Sequence, residues 1–260
     1  MTLVCKPGYN GTPGKMTLAQ EFAPQGYMYQ FPSQYPVWTP AEITTALWLD
    51  AVDTSTINKV DEAVVQWSDK SGNSRNFTQP TANLQPIYSS TGLNGLPAIS
   101  FVSQYLAFTP FNSVLDNTAF NIFFAGSGDL RSGSIAGVPR FYFNDTYISY
   151  VDNVIANWAL NNTARIVEWS FDGINQHTVS INGTSTATAT KAVSSGFQTF
   201  YQIGRAGNDS SNGFFAEYIF VSGTISTNTR QRIEGYLAHK WGLTANLPSD
   251  HPYKLVGPTS

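Results

Sequence analysis

An all-β fold is what this sequence predicts: an antiparallel sandwich with one C-terminal α-helix, preceded by an extended N-terminal arm. Three observations carry the prediction. Apolar or alternating runs of strand length recur along the chain, with Gly, Asn and Ser between them, and not in alternation with helical patterns. Asn182-Gly183 stands between two alternating runs and supplies the pair of positive-φ residues that a tight hairpin requires. The polarity of the chain comes from Asn, Thr, Ser and Gln, with only 12% charged residues against 42% hydrophobic ones, which suits sheets with neutral, hydrogen-bonding outer faces.

The composition also excludes several classes. A chain of 260 residues with this much apolar material is too hydrophobic and too weakly charged for intrinsic disorder. Fourteen basic against 17 acidic residues leave no cationic surplus to displace phosphate counterions, so nucleic acid is not an expected partner. No apolar run is long enough to span a bilayer. The single cysteine, Cys5, rules out an internal disulfide and a thiolate zinc cage. The first residues, Met1 to Gly8, lack a basic leader followed by an apolar stretch, so the chain is expected to be made in the cytoplasm without a signal peptide.

Residues 1–38 form the first expected unit. Pro7, Pro13, Pro24, Pro32 and Pro36 break every candidate element, yet the stretch carries Phe22, Tyr27, Tyr29, Phe31, Tyr35 and Trp38. A free linker has no use for six aromatics, so an anchoring arm that docks on a partner is expected, with a frayed tail as the alternative. Residues 39–260 form the second unit. Thr39-Pro40-Ala41-Glu42 reads as a capping box opening a short helical turn. Beyond it, strands are expected at 98–102, 120–125, 140–143, 147–151, 165–171, 177–181, 184–190, 200–204 and 215–221. In the run 165–171, Arg165, Val167, Trp169 and Phe171 share one face, and Ile166, Glu168 and Ser170 the other. Ser226 or Thr227 caps a helix whose stripe is Ile233, Tyr236, Leu237 and Trp241, with Gly242 just past its end. That helix is expected to cover an open end or edge of the sandwich.

Several stretches together resemble a known family. They are Ala46-Leu47-Trp48-Leu49-Asp50-Ala51 with Asp53, Trp67-x-Asp69-Lys70-Ser71-Gly72-Asn73, and Gly92-Leu93-Asn94-Gly95-Leu96-Pro97-Ala98. The closing segment adds Glu217-Tyr218-Ile219-Phe220, the run Arg230 to Leu243 with His239-Lys240-Trp241-Gly242, and Leu247-Pro248 with His251-Pro252-Tyr253. This pattern, over about residues 44 to 254, resembles laminin-G/concanavalin A-like domains, which are widespread in bacteriophage virion proteins and bacterial surface proteins. The resemblance implies a two-sheet antiparallel jelly-roll, often used to hold glycans or to decorate a particle. It specifies fold more than activity.

Concanavalin A-like folds also host glycoside hydrolases. Retaining hydrolysis needs two carboxyls about 5–5.5 Å apart, most simply an acid-x-acid spacing on a strand, and the sequence contains no such pair. Glu168 and Asp172 lie about 13 Å apart along an extended strand, so a catalytic pair is not expected. Asp50, Asp53 and Asp69 are the weak candidates for a calcium ion, because they are hard oxygen donors near turns. The competing reading is that they satisfy turn N–H groups. No other cofactor is implied. Glycan binding calls for aromatic faces beside neutral or charged hydrogen-bonding groups, and Asp129, Arg131, Asn144, Tyr147, Asn157, Trp158 and Asn208 supply that mixture on expected loops and rims.

The expectation that follows is a non-enzymatic virion protein, a capsid decoration or tail-fibre component on the particle surface. It would attach through its arm to other virion proteins and to its own copies, a trimer being favoured, with host glycan as a further partner. The alternative is a carbohydrate-binding adhesin module of a bacterial surface protein. A glycoside hydrolase or lyase comes third.

Overall fold

A computed structural model of the chain describes residues 36–108, 119–134, 140–143, 147–150, 153–157, 163–190, 201–206 and 208–260. The strands run in chain order as β1 (Leu47–Asp50), β2 (Ile57–Val60), β3 (Ala63–Trp67), β4 (Phe77–Thr78), β5 (Ile87–Leu93), β6 (Leu96–Val102) and β7 (Leu106–Phe108). The long β8 (Phe120–Ser134) leads into a meander of β9 (Arg140–Phe143), β10 (Tyr147–Tyr150) and β11 (Asn153–Asn157). Then come β12 (Arg165–Phe171), β13 (Gln176–Ile181), β14 (Thr184–Thr190), β15 (Tyr201–Ile203), β16 (Arg205–Ala206), β17 (Asp209–Ser210) and β18 (Asn212–Ser222). The helix α1 is Thr227–Lys240.

Local chemistry explains the element ends. Asn182 and Gly183 both adopt positive φ, 51° and 79°, in the turn between β13 and β14, as an Asn-Gly hairpin demands. Asn94 and Gly95 do the same between β5 and β6, at 50° and 80°. Ser226 caps α1 by accepting the Thr229 N–H at 3.1 Å, and Gly242 follows the helix with φ 67°. At the turn 40–42 the Thr39 N–H donates to Glu42 Oε1 at 3.1 Å, half of the expected capping box.

All strand pairings are antiparallel, and sixteen described strands join one ladder. The ladder closes on itself: β18, β6, β5, β3, β4, β7, β15 and β8 pair in turn, and β8 pairs back with β18. The all-β expectation with one C-terminal helix holds: the described strands join in a closed, barrel-like ring with extra strands, consistent with an all-β sandwich. The physical reason is the length of β8 and β18. Residues 120–126 of β8 lie against β12, while its far end turns to β9 and β15. The bend is enabled at Gly128, with φ 86°, where a Cβ would lie 2.5 Å from the Asn212 carbonyl oxygen.

Two cores result. The inner one fills the ring with Trp67, Phe77, Phe101, Phe120, Phe124, Val167, Trp169, Phe171 and Tyr218, among others. The outer one lies between the sheet and α1, where Phe123, Ala125, Ile166, Ala216 and Ile219 meet Ile233, Tyr236, Leu237 and Trp241. The helix therefore covers a sheet face, not an end or edge. That is why Ile166 and Glu168, on the second face of β12, are buried as fully as Val167 and Trp169.

Trp38, grouped by sequence with the arm, belongs to this second core. Its ring stands edge-on to Tyr236 with centroids 6.1 Å apart, and its backbone N–H donates to the Pro258 carbonyl at 3.0 Å. A buried indole is unavailable to a partner, so Trp38 anchors the body itself. Phe22, Tyr27, Tyr29, Phe31 and Tyr35 lie outside the described residues.

Candidate functional site

The motifs that carry the family resemblance converge on one buried carboxylate. Pairing of β1 with β18 sets Asp50 opposite Glu217. Lys240, in the last turn of α1, places Nζ 2.7 Å from Asp50 Oδ1 and 2.8 Å from Glu217 Oε2. The Trp48 indole and the Tyr236 hydroxyl donate to Glu217 Oε1 at 2.7 and 2.9 Å, and the Trp241 indole donates to Oε2 at 2.8 Å. Burial pushes the Glu217 carboxyl up, and Lys240 pulls it back. Four donors thus satisfy a carboxylate that is wholly out of water. The cluster ties helix to sheet and offers no surface to a ligand.

The calcium candidates resolve in the same way. The Lys70 ammonium lies 2.9 Å from Asp50 Oδ2 and 2.8 Å from Asp53 Oδ2, and 4.4 Å from the Trp48 ring centroid. Hydrogen bonding by Lys70 and then Ser55 holds the Asp53 carboxyl below its ordinary value. Burial works against the Lys70 charge, but Asp53 and Asp50 outweigh it and keep the ammonium above its ordinary value. Asp69 turns both oxygens to backbone amides of β1 and of its own loop: Oδ1 accepts the Trp48 and Ser71 N–H groups at 3.0 and 2.8 Å, and Oδ2 accepts the Arg75 N–H at 3.1 Å. The Lys70 ammonium sits between two of the three weak calcium candidates, Asp50 and Asp53, and the third, Asp69, is spent on backbone amides. Among the described residues no three His, Cys, Asp or Glu side chains group to hold a metal.

The expected glycan-contacting residues are partly brought together. Asp129 and Arg131 form a forked ion pair, with Nε and Nη2 donating at 3.1 and 2.7 Å. Arg131 Nη1 is 3.8 Å from Asp209 in the small β16–β17 hairpin, whose turn carries the exposed Asn208. Ser211 Oγ accepts the Arg131 N–H at 2.8 Å. In the meander, Tyr147 stands directly opposite Asn157, and the ladder β8–β9–β10–β11 links this pair to Arg131 through Tyr142 and Ser149. Asn144 and Trp158 lie outside the described residues.

Sequence reasoning passed over a concave surface elsewhere on the ring. A cavity of about 380 Å³ opens beside β4 and β7, lined by Asn76, Thr78, Gln79, Thr81, Tyr105 and Phe108 with Pro80 and Ala107. The buried Gln79 shapes its wall: Nε2 donates to the Tyr105 carbonyl at 3.2 Å, and Oε1 accepts the Thr81 N–H at 3.1 Å. The Arg205 guanidinium lies over the Tyr105 ring, 5.3 Å from its centroid. No motif marks these residues, because they meet only through the pairing of β4 with β7.

A second acidic cluster sits under α1. Arg230 Nη1 is 3.0 Å from Glu234 Oε1 and 3.8 Å from Glu168 Oε2, and His251 Nε2 is 3.1 Å from Glu234 Oε2. Burial and then the nearby Glu234 push Glu168 up to about 7, and burial raises Glu234 to about 7 as well. Asp172, the other acid weighed for hydrolysis, is exposed and accepts the N–H groups of Ile174, Asn175 and Gln176 at 2.8, 2.9 and 2.9 Å. Glu168 thus belongs to a helix–sheet contact and Asp172 to a turn.

No protein-family model matches this chain, and no curated protein matches it. Solved structures do. The binding domain of Paraclostridial Mosquitocidal Protein 1 superposes with a TM-score of 0.53 at 10% identity, over 74% of this chain and 52% of that one. A GH54 α-L-arabinofuranosidase soaked with a cyclic sulfate inhibitor gives 0.52 at 12% identity, over 66% and 50%. The likeness is one of fold. Domain 4 of AbnA, a GH43 extracellular arabinanase from Geobacillus stearothermophilus in complex with arabinotriose, gives 0.50 at 14% identity, over 70% of this chain and 94% of that one. This chain spans about half the length of the first two, but nearly all of the arabinanase domain.

Proposed function

We propose that this chain is a non-catalytic carbohydrate-binding domain. The supporting observation is the fold shared with an arabinanase domain seen with arabinotriose, nearly all of which this chain covers. The low charge of the chain and its hydrogen-bonding Asn, Gln and Thr side chains suit recognition of hydroxyls. Glu168 and Asp172 are each committed to local structure, which favours binding without turnover. The full chain, presented to arrays of oligosaccharides and polysaccharides and followed by calorimetry on the hits, is expected to bind at least one glycan class. Binding to none would overturn the reading. Release of reducing ends that Glu168→Gln or Asp172→Asn abolishes would overturn its non-catalytic part.

The context proposed for this module is a phage particle, as a decoration or fibre attached through the arm. The supporting feature is five aromatics, Phe22 to Tyr35, in a Pro- and Gly-broken leader. Residues 37–260 form their own compact unit, so deletion of residues 1–36 is expected to leave a folded protein that no longer enters particles or oligomers. Normal incorporation of the truncated chain would remove the anchoring role.

A further inference from the structure

We propose that the outer edge of β14 is a self-association surface, on which a second copy of this chain adds its own β14, antiparallel about a two-fold axis at Thr188; this stands apart from the carbohydrate reading. β14 ends the ladder, and among the described residues it pairs with β13 alone. β11 comes near it but pairs with β10 instead.

The hairpin fixes which backbone groups are open. The two-residue turn at Asn182-Gly183 makes Ile181 and Thr184 a bonded pair, so the odd-numbered residues of β13 bond toward β14. The even-numbered positions bond the other way: the Asn182 N–H donates to the Ile166 carbonyl at 2.8 Å, and the Gln176 carbonyl accepts the Asp172 N–H at 3.1 Å. Beyond the single register shift at Val179/Ser180, Val179 and His177 face Ala187 and Ala189. Thr188 and Thr190, which alternate with these alanines, therefore turn their N–H and C=O groups to the outer edge. Both side chains are exposed.

An open edge is a template for another strand, and native proteins blunt it with charge or proline. Thr184–Thr190 carries neither. The occupant is argued from the sequence of the edge itself. Thr186-Ala187-Thr188-Ala189-Thr190 reads the same in both directions, and a two-fold contact must present the same groups from each side. With the axis at Thr188, that residue meets its own copy, Thr186 meets Thr190 and Ala187 meets Ala189. Cross-strand Thr–Thr pairs are favourable, and no like charges are opposed. A contact this short buries far less than the roughly 1,600 Å² of a standard interface. The pair is therefore weak by itself and is strengthened by any arm contact that gathers copies.

The test uses the full chain. In a Cys5→Ser background, which removes the only thiol, Thr188→Cys is expected to oxidise to a covalent dimer. Bonded antiparallel residues stand about 5.5 Å apart at Cα, inside the disulfide range. Thr190→Cys is expected to yield at least about tenfold less dimer, because its two copies would lie about 13 Å apart along the strand. Thr188→Pro deletes the outward N–H and spares the ladder with β13, while Thr188→Lys sets two like charges face to face. Sedimentation over a concentration series is expected to show a weak wild-type dimer and roughly tenfold weaker association for either variant, with thermal midpoints near that of wild type. Should Thr188→Pro fail to fold, Thr188→Lys, at an exposed position, decides. A wild type that stays monomeric, with Thr188→Cys oxidising no faster than Thr190→Cys, overturns the contact. So does self-association that folded Thr188→Lys leaves intact; if deletion of residues 1–36 then abolishes it, assembly belongs to the arm.

Discussion

Glu217→Ala is expected to lower folding stability by about 3–5 kcal/mol, read as a fall of roughly 10 °C or more in the thermal midpoint. The large size does not come from the ion pair as such, since a buried pair gains little net free energy over an apolar replacement. It comes from what the truncation leaves behind. Lys240 loses one of its two anions, and the Trp48 indole, the Tyr236 hydroxyl and the Trp241 indole are stranded in an interior that water does not reach. Glu217→Gln keeps the shape and one acceptor oxygen, so it is expected to fall between wild type and Glu217→Ala. Urea unfolding with helix-sensitive circular dichroism measures both. A loss below about 1 kcal/mol for Glu217→Ala would show that α1 is held by its apolar stripe alone.

The second large effect concerns pH. Glu168 and Glu234 have an ordinary value of 4.5 and rise to about 7 on folding, so between these values the native state holds protons that the unfolded chain has released. Stability therefore falls as pH rises from about 4.5 to 7, and is flat above. At 1.36 kcal/mol per unit the shift corresponds to about 3 kcal/mol for each carboxyl. Burial, foremost, and Arg230 hold His251 below its ordinary value, which works in the opposite direction up to about pH 6.5. Asp53 and Asp172 sit below their ordinary value of 3.8, so their contributions are complete above that value and constant across the window. The expected result is a protein more stable at pH 5 than at pH 8. Glu168→Gln, neutral at every pH, is expected to raise the midpoint at pH 8 and flatten the profile. A wild-type midpoint that climbs steadily from pH 5 to pH 8 would sink the assignment.

Reading the candidate site from sequence succeeded unevenly. Asp129, Arg131 and the turn at Asn208 do meet, since all three lie near the junction where β8 passes the β16–β17 hairpin. Asp50, Asp53 and Asp69 looked like oxygen donors awaiting a cation; the cation between Asp50 and Asp53 is the chain's own Lys70, seventeen residues beyond Asp53 in number but adjacent in space, and Asp69 serves backbone amides. Tyr105, Thr78 and Gln79 passed unremarked because each is ordinary in its own segment; they line one cavity only through the pairing of β4 with β7.

The chain alone settled what short-range physics decides. Alternation in Arg165–Phe171, positive φ at Asn182-Gly183 and the Ser226 cap each depend on groups within a few residues, where backbone sterics and local hydrogen bonds leave little choice. Tertiary structure alone decided that the ladder closes into a ring, that α1 lies on a face, and that Trp48, Glu217 and Lys240 share one buried network. Trp48 and Glu217 are 169 positions apart. Whether a carboxylate binds a metal, a lysine or a row of amides depends on which distant donors folding brings to it, and residue type carries no record of that.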